Sequence, residues 1–228
     1  VLTTSSDDVP FRFTNDLDIA EDGTIYFSDA SFKFTQAEYK SDALEHRPNG
    51  RLLAYNPRTR KTTTLLKDLY FANGVAISPE QDFLLINETW TYKVLRHWLK
   101  GEKKGTTEVF IDELPGFPDG ISSDGAGTFW LALASPRNPM IDNLAPHPWL
   151  RKVVQRLPKF LHPAPVKYAF VIGLNNEGEV VHNLQEPSGA PYSVITSVQA
   201  ENGFLYFGSL EETAIGRILV PQESELAL

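Results

Sequence analysis

Four short polar residues stand at corresponding places along the chain, each at the head of an apolar segment. Three of them, Asn15, Asn73 and Asp119, carry amide or carboxylate oxygens, and the fourth, Thr196, carries a hydroxyl. Hard oxygen donors with little charge suit Ca²⁺ better than Zn²⁺ or copper. If the fold brings the first three together, they predict a Ca²⁺ site that could polarise a carbonyl or phosphoryl oxygen.

Each of these residues opens a repeated unit of two apolar segments joined by a turn, such as Asp22-Gly23 in the first copy and Asn202-Gly203 in the fourth. A second pair of strand-like segments follows each of the first three copies, so a unit holds about four strands. The openers recur at intervals of 46 to 77 residues, and the shortest interval matches a four-stranded propeller blade. The repeat therefore predicts an all-β propeller rather than an irregular β-sandwich.

The inner strands of a propeller converge on a central channel, so equivalent openers are expected to meet there although they lie far apart in sequence. The plainer alternative stays open at this point, because Asn and Asp also cap strand starts and turns in many proteins. Thr196 is the weakest donor of the four, and a strand-start hydroxyl is its simplest interpretation.

Composition narrows the class of protein. The chain has 228 residues, a net charge of −8 and no cysteine. The negative charge argues against a nucleic-acid partner, because phosphate binding needs clustered Lys and Arg. The missing cysteines rule out disulfides, thiolate metal sites and cysteine nucleophiles. The first residues lack an initiator Met and a signal-peptide pattern, so we expect the chain to start within a longer or processed product.

Two insertions carry the length beyond the blades, residues 30–49 and 135–167 of a single domain spanning 1–228. The second insertion predicts one short helix over 148–157, starting at Pro148 and stopped by Pro158. Its apolar face holds five residues, Trp149, Leu150, Val153, Val154 and Leu157, and its polar face Arg151, Lys152, Gln155 and Arg156. We expect this helix to pack as a lid over the channel mouth, with contact to a membrane surface as the alternative.

The histidines offer one candidate for acid–base chemistry. The five are His46, His97, His147, His162 and His182, and none belongs to an HxH or HExxH pattern. His46 lies in the first insertion, where it could face the channel mouth as a general base; a surface-loop histidine is the plainer interpretation. No nucleophile elbow, Walker loop or dinucleotide fingerprint is present.

Several motifs resemble the strictosidine synthase-like family, and in particular adipocyte plasma membrane-associated proteins, with paraoxonases and gluconolactonases as more distant relatives. The resemblance is carried in order along nearly the whole chain by Phe13-Thr14-Asn15-Asp16-Leu17, Tyr26-Phe27-Ser28-Asp29, Gly50-Arg51-Leu52-Leu53, Ala72-Asn73-Gly74-Val75, Pro115-Gly116-Phe117-Pro118-Asp119 and Leu205-Tyr206-Phe207-Gly208-Ser209.

The resemblance implies a six-bladed propeller with a central Ca²⁺ whose ligands fall on Asn15, Asn73 and Asp119. It also implies that the chain covers about four blades, three to six, with residues 1–13 as the end of blade two. An acidic ligand expected from an earlier blade has no counterpart in this chain, and a missing N-terminal segment could supply it. The catalytic histidines of paraoxonases belong to that same region, so the resemblance does not support His46.

Thr196 stands where strictosidine synthases carry their catalytic Glu, and a hydroxyl cannot replace a carboxylate as the acid–base group. The resemblance thus argues against strictosidine synthesis. The leading expectation is a Ca²⁺-dependent hydrolase of small esters or lactones, resembling arylesterases and lactonases. The alternative is a non-catalytic propeller with a structural Ca²⁺. For the compartment, the resemblance favours an extracytoplasmic or membrane-associated protein, although the chain itself carries no such signal.

Overall fold

A computed structural model describes residues 1–158 and 166–221. After a small hairpin, β1 (Ser5–Ser6) and β2 (Val9–Pro10), fifteen strands form four antiparallel sheets. The first sheet holds β3 (Thr14–Ile19), β4 (Ile25–Asp29), β5 (Gly50–Asn56) and β6 (Lys61–Leu69). The second holds β7 (Ala72–Ile77), β8 (Phe83–Glu88), β9 (Lys93–Trp98) and β10 (Thr107–Ile111). The third holds β11 (Gly116–Ser123), β12 (Phe129–Pro136), β13 (Ala169–Leu174) and β14 (Val180–Glu186), and the fourth β15 (Ile195–Glu201), β16 (Phe204–Ser209) and β17 (Gly216–Leu219).

The sheets are propeller blades arranged side by side around a channel. Within each blade the strands pair in chain order, and the first strands contact one another in sequence, β3 with β7, β7 with β11 and β11 with β15. The predicted all-β partial propeller of about four blades is confirmed. The repeat found in the sequence is therefore the blade, and its openers lie on the inner strands β3, β7, β11 and β15.

The hydrophobic core lies between successive blades, in three layers. Alternate side chains of a strand point to opposite faces of its sheet, so a blade in the middle of the array needs apolar residues at every position. In β8, Leu84 and Ile86 pack toward the first blade while Phe83 and Leu85 pack toward the third. This double burial explains why the central strands read as unbroken apolar runs rather than as alternating patterns.

The close approach of inner strands explains the glycine that follows two of the openers. A Cβ at Gly74 would lie 2.4 Å from the carbonyl oxygen of Asp119 and 2.6 Å from the backbone nitrogen of Ile121. A Cβ at Gly120 would lie 2.7 Å from the carbonyl oxygen of Thr196. Only glycine permits these distances, so Asn73-Gly74 and Asp119-Gly120 are blade-junction sequences within strands and not turns.

The two insertions form short helices at the same end of the channel. The first contains α1 (Tyr39–Glu45), and the second contains α2 (Pro139–Leu144) and α3 (Pro148–Gln155). The structure places α3 where the sequence predicts it, and adds α1 and α2, which the sequence reading does not predict. We call residues 30–49 and 135–158 together the cap.

Hydrogen bonds to the end of α1 orient the helix α3. The helix contacts α1 through its polar side, where Arg151 Nη1 donates to the carbonyl oxygen of Leu44 and Gln155 Nε2 donates to Ser41 Oγ. On the opposite side, two apolar side chains are exposed to solvent: Trp149 is 65% exposed and Val153 is 50% exposed. Leu150 and Val154 on the same side are half-buried, so part of the apolar face is covered, and packing of α3 as a lid over the channel mouth stays a prediction.

Residues 1–13 lie against the first blade, where Thr62 Oγ1 donates to Thr3 Oγ1 over 2.8 Å. None of the helices in the described part of the chain has the length and apolar content that crossing a membrane requires. Of the five histidines, His162 falls outside the described residues.

Candidate active site at the channel mouth

The inner strands and the cap enclose a cavity of about 540 Å³ at the channel mouth. All four openers, Asn15, Asn73, Asp119 and Thr196, line it, and so does His46 from the end of α1. The fold therefore brings into the lining of one cavity the residues that the sequence singles out from distant places.

Asn73 and Asp119 are in contact with each other within this lining. The Asn73 amide donates to the Asp119 carboxylate and, through Nδ2, to Thr89 Oγ1 over 3.1 Å. Thr89 Oγ1 in turn donates to the carbonyl oxygen of Pro118, and Asn87 Nδ2 donates to the carbonyl oxygen of Asp119. The pair is thus held by two residues at the end of β8 and in the turn that follows it.

The charge and hydrogen-bonding state of the Asn73–Asp119 pair favours binding of a cation. Burial raises the pKa of Asp119 to about 7, and the neighbouring charge of Asp16 adds to the rise, while the hydrogen bond from Asn73 works against it. Asn73 is only 3% exposed, and its Oδ1 has no hydrogen-bond partner among the described residues. A buried acceptor without a donor, next to a carboxylate that lacks a countercharge, fits an oxygen-ligated cation such as Ca²⁺.

Asn15 and Thr196 flank the pair from the first and fourth blades. Asn15 is exposed and Thr196 is half-buried. Next to Asn15, Asp16 accepts hydrogen bonds from the backbone N–H groups of Leu17 and Val75. Burial raises the pKa of Asp16 despite these bonds. The side chain of Asp16 therefore joins β3 to β7 rather than facing the cavity alone.

No group of three His, Cys, Asp or Glu side chains within residues 1–158 and 166–221 is placed to hold a metal ion. A site at this mouth would therefore depend on amide oxygens beside Asp119, as the donor types in the sequence suggest. Asn15, Asn73 and Asp119 remain the predicted ligands.

Aromatic side chains make up much of the remaining cavity wall. Six of them line it: Phe13, Tyr39, Phe71, Trp90, Tyr92 and Phe117. Three of these phenylalanines stand two residues before Asn15, Asn73 and Asp119, so each repeat delivers a ring as well as a polar opener. The sequence reading missed this second periodic position, although the same alignment of repeats contains it.

Strained backbone conformations also occur at the cavity. Four residues that line it, His46, Phe71, Tyr92 and Val194, have φ values between 49° and 61°. Bulky and β-branched residues rarely adopt this left-handed conformation, and such strain persists where surrounding structure fixes it, often at functional sites.

His46 lines the cavity from the C-terminal end of α1, as the residue that follows the last helical residue, Glu45. Its ring lies 5.3 Å from that of Tyr70. Burial lowers the pKa of His46, and the guanidinium of Arg151 lowers it further. The imidazole is therefore neutral at pH 7 and able to accept a proton.

Sequence comparison identifies the relatives of the chain. A family profile described as strictosidine synthase matches residues 15–102. Protein STRICTOSIDINE SYNTHASE-LIKE 10 of Arabidopsis thaliana is 39% identical over 216 residues, which cover 92% of this chain and 58% of that protein. This chain is a relative of the strictosidine synthase-like proteins. The adipocyte plasma membrane-associated protein of Homo sapiens is 34% identical over 215 residues, covering 90% of this chain and 51% of that protein.

The chain thus spans somewhat more than half the length of these strictosidine synthase-like relatives. Solved structures agree on the fold. A gluconolactonase from Xanthomonas campestris superposes with a TM-score of 0.60 at 15% identity, over 91% of this chain and 57% of the other. Regucalcin from Agrobacterium tumefaciens, described as a calcium-binding protein, superposes with a TM-score of 0.57 at 16% identity, over 88% and 54%. At these identities the structural likeness establishes the propeller alone.

Proposed function

We propose that the protein is a Ca²⁺-dependent hydrolase of esters or lactones with an apolar body. The observation that carries the proposal is the Asn73–Asp119 pair in an aromatic-lined cavity, where the buried Asn73 has an unsatisfied amide oxygen and the half-buried Asp119 has a carboxylate of raised pKa. The names of two propellers of similar fold, a gluconolactonase and a calcium-binding regucalcin, support this class of reaction and this metal.

Asn15, Asn73 and Asp119 would hold the ion. A bound Ca²⁺ would polarise the carbonyl of the substrate and stabilise the negative charge that develops on its oxygen. His46, neutral and half-buried at the end of α1 in the lining of the same cavity, is the group that would take a proton from the attacking water. Thr196, which lines the cavity where strictosidine synthases have a Glu, supplies no carboxylate, so strictosidine synthesis is not the proposed reaction.

The cavity wall indicates the kind of substrate. Rings such as Phe71, Trp90 and Phe117 offer apolar surface and few hydrogen-bonding groups. A polyhydroxylated sugar lactone would place hydroxyls against these rings, at a cost for each hydroxyl that finds no hydrogen-bond partner. An aromatic or aliphatic ester or lactone would bury its body against the rings and leave its carbonyl at the Asn73–Asp119 pair.

The test measures turnover of an aryl ester and of an aliphatic lactone by the purified protein, with Ca²⁺ and after chelation. We expect hydrolysis that chelation abolishes and Ca²⁺ restores, and at least a hundredfold loss of kcat/KM in Asp119→Asn. His46→Gln should lower kcat with little change in KM. Turnover that is insensitive to chelation would contradict the metal's role, and absence of turnover with Ca²⁺ present would contradict the enzyme.

The second candidate is a non-catalytic propeller that binds an apolar ligand around a structural Ca²⁺. The aromatic lining of the cavity favours it, because such a lining suits an apolar ligand whether or not the ligand reacts. In that case Asn73→Ala and Asp119→Ala would lower thermal stability in Ca²⁺ while the wild-type protein shows no hydrolysis to lose.

We also propose that the outer side of α3 contacts an anionic membrane surface. Trp149 and Val153 are exposed there, and Lys152 and Arg156 lie on the same short helix without an acidic neighbour in it. An apolar stripe with flanking cations suits the interface of an anionic bilayer. Co-sedimentation with vesicles containing phosphatidylserine should fall at least fivefold in the double variant Trp149→Ser, Val153→Ser. Equal binding of variant and wild type would refute this contact.

A further inference from the structure

Two aromatic residues that line the cavity also hold the two halves of the cap. They belong to the 3₁₀ turn Thr89–Thr91 and the residue after it. Trp90 Nε1 donates to Asp42 Oδ1 on α1 over 2.9 Å, and Tyr92 Oη donates to Asp142 Oδ1 on α2 over 2.7 Å. Each side chain thus presents its ring to the cavity and its polar end to a different insertion.

The acceptor on the first half is fixed in place. Asp42 is fully buried and also accepts a hydrogen bond from Asn49 Nδ2 over 3.2 Å. Asp42 is the one buried residue of α1, so this short helix is attached to the propeller by a polar contact and not by an apolar face. The bond from Trp90 is accordingly a principal connection between α1 and the second blade.

The acceptor on the second half belongs to a group of three side chains. The Arg137 guanidinium lies 4.2 Å from the centre of the Tyr92 ring, and its Nε is 3.6 Å from Asp142 Oδ2. Tyr92 is almost fully buried, and burial together with Asp142 raises the pKa of its hydroxyl, which stays protonated and able to donate. The hydroxyl, the carboxylate and the guanidinium therefore tie α2 to the propeller.

The backbone at this anchor is strained. Tyr92 has a φ of 54°, a conformation that bulky residues rarely adopt. Its ring packs 4.9 Å from that of Phe117, which stands two residues before Asp119. The strained residue is thus held between the cap on one side and the base of the cavity on the other.

The two halves of the cap are joined to each other as well. Arg151 of α3 donates to the carbonyl oxygens of Leu44 and Glu45 at the end of α1. The cap therefore has an internal connection, from α3 to α1, and two connections to the propeller that meet at a single turn.

We propose that Trp90 and Tyr92 are positioning residues that couple occupancy of the cavity to closure of the whole cap. A ligand that packs on the two rings fixes the side chains whose polar ends hold Asp42 and Asp142, so that both insertions close together. The pairs Trp90–Asp42 and Tyr92–Asp142 then set the size of substrate that the site accepts. The part of this inference that concerns substrate size rests on the proposed hydrolase; cap closure does not.

The experiment uses Trp90→Phe and Tyr92→Phe, which keep a ring in the cavity and remove only the donor. The chain offers matched controls away from the cavity: Trp98→Phe, whose Nε1 donates to Glu108, and Tyr168→Phe, whose hydroxyl bonds to Gln185. Hydrogen exchange is measured over residues 36–45 and 139–155, with and without the apolar probe 1-anilinonaphthalene-8-sulfonate. The kcat/KM ratio of a bulky to a small aryl ester is measured in parallel.

In the wild type the probe should slow exchange in both segments. Tyr92→Phe should speed exchange at least fivefold in residues 139–155 and also in residues 36–45, and it should remove the protection by the probe. The kcat/KM ratio of the two esters should change at least fivefold. Trp90→Phe should have the same effects, because it removes the bond that holds the other half of the cap. The controls should change each quantity less than twofold. Faster exchange in only one of the two segments of a variant, or equally large effects in the control variants, would overturn the coupling between the two halves of the cap. If no ester is hydrolysed but exchange responds as stated, the hydrolase proposal fails and cap closure stands.

Discussion

The inner strands β3 and β7 hold the same place in successive blades but are kept there by different forces. All six residues of β7 are buried, because inner strands contact it on both sides. In β3 no residue is fully buried, and Leu17 and Ile19 are 55% and 58% exposed. The consequence for the site is direct, since Asn73 on β7 is buried and Asn15 on β3 is exposed.

Side-chain carboxylates replace packing around β3. Asp16 and Asp18 accept hydrogen bonds from the backbone N–H groups of Val75 and Ile77 on β7, and Asp29 accepts one from the N–H of Phe13 at the start of the strand. In contrast, β7 meets β11 backbone to backbone at Gly74. The comparison teaches that one side of the cavity is positioned by close packing and the other by a few polar anchors.

The largest loss of stability is expected on removal of the buried ion pair that holds Asp29, the carboxylate that anchors the start of β3. Arg51, 4% exposed, pairs with the fully buried Asp29 and also donates to the carbonyl oxygen of Pro10. Arg51→Met should lower the free energy of unfolding by about 3–5 kcal/mol, because it leaves Asp29 buried without its partner. Lys67→Met, which breaks the exposed pair with Asp7, should cost less than about 1 kcal/mol. Urea titration measures both, and equal costs would refute the difference between the anchors.

The packed side of the cavity should show its own pH dependence. The pKa of Asp119, raised to about 7 in the folded protein, exceeds the value of about 3.9 expected in the unfolded chain. The folded state therefore binds a proton between these values and the unfolded state does not, so stability rises as pH falls from about 7 to 4, by on the order of 3 kcal/mol without metal. Asp119→Asn should flatten this slope in thermal unfolding curves. An unchanged slope in the variant would assign the effect to another group.

A smaller loss is expected at the backbone junction of β7 and β11. Gly74→Ala should destabilise by about 1–3 kcal/mol, because the added methyl group meets backbone atoms of Asp119 and Ile121. Gly208→Ala is the matched control in a strand, since its nearest contact is the movable Ser197 Oγ at 2.4 Å and the next atom is 3.7 Å away. Thermal unfolding compares the two. Similar losses of stability in the two variants would contradict a tight backbone contact between β7 and β11 at Gly74.

The smallest effect is expected for a single polar anchor of β3. Asp18→Asn keeps one oxygen acceptor for the N–H of Ile77 and should cost about 0.5–1.5 kcal/mol. Asp82→Asn, which alters a local bond within the turn of the second blade, serves as the reference for a surface carboxylate. A cost for Asp18→Asn above that of Arg51→Met would reverse the order of anchors proposed for β3.

The sequence predicts the blades better than the cap, for physical reasons. Strands such as β5 and β13 follow from apolar runs bounded by turns, and the openers follow from repetition. The helix α1 was missed because its buried residue is Asp42, so no apolar periodicity marks it. The helix α2 carries a readable start, since Asn138 accepts from the N–H of Met140 ahead of Pro139, but its six residues are too few for a periodic pattern.

The sequence also could not specify which openers come into contact. The repeat treats Asn15, Asn73 and Asp119 as equivalent, whereas the structure buries Asn73 beside Asp119 and leaves Asn15 exposed. That asymmetry follows from how many neighbours an inner strand has, which the local sequence does not encode.

The most direct test of the account is calcium-dependent thermal stability at pH 8, where the metal-free wild type carries an unfavourable Asp119 anion. We predict that Ca²⁺ raises the Tm of the wild type by several degrees. Asp119→Asn and Asn73→Ala should remove the shift, and Asn15→Ala should only reduce it. A shift that survives in Asp119→Asn, or no shift in the wild type, would contradict a cation site at this pair.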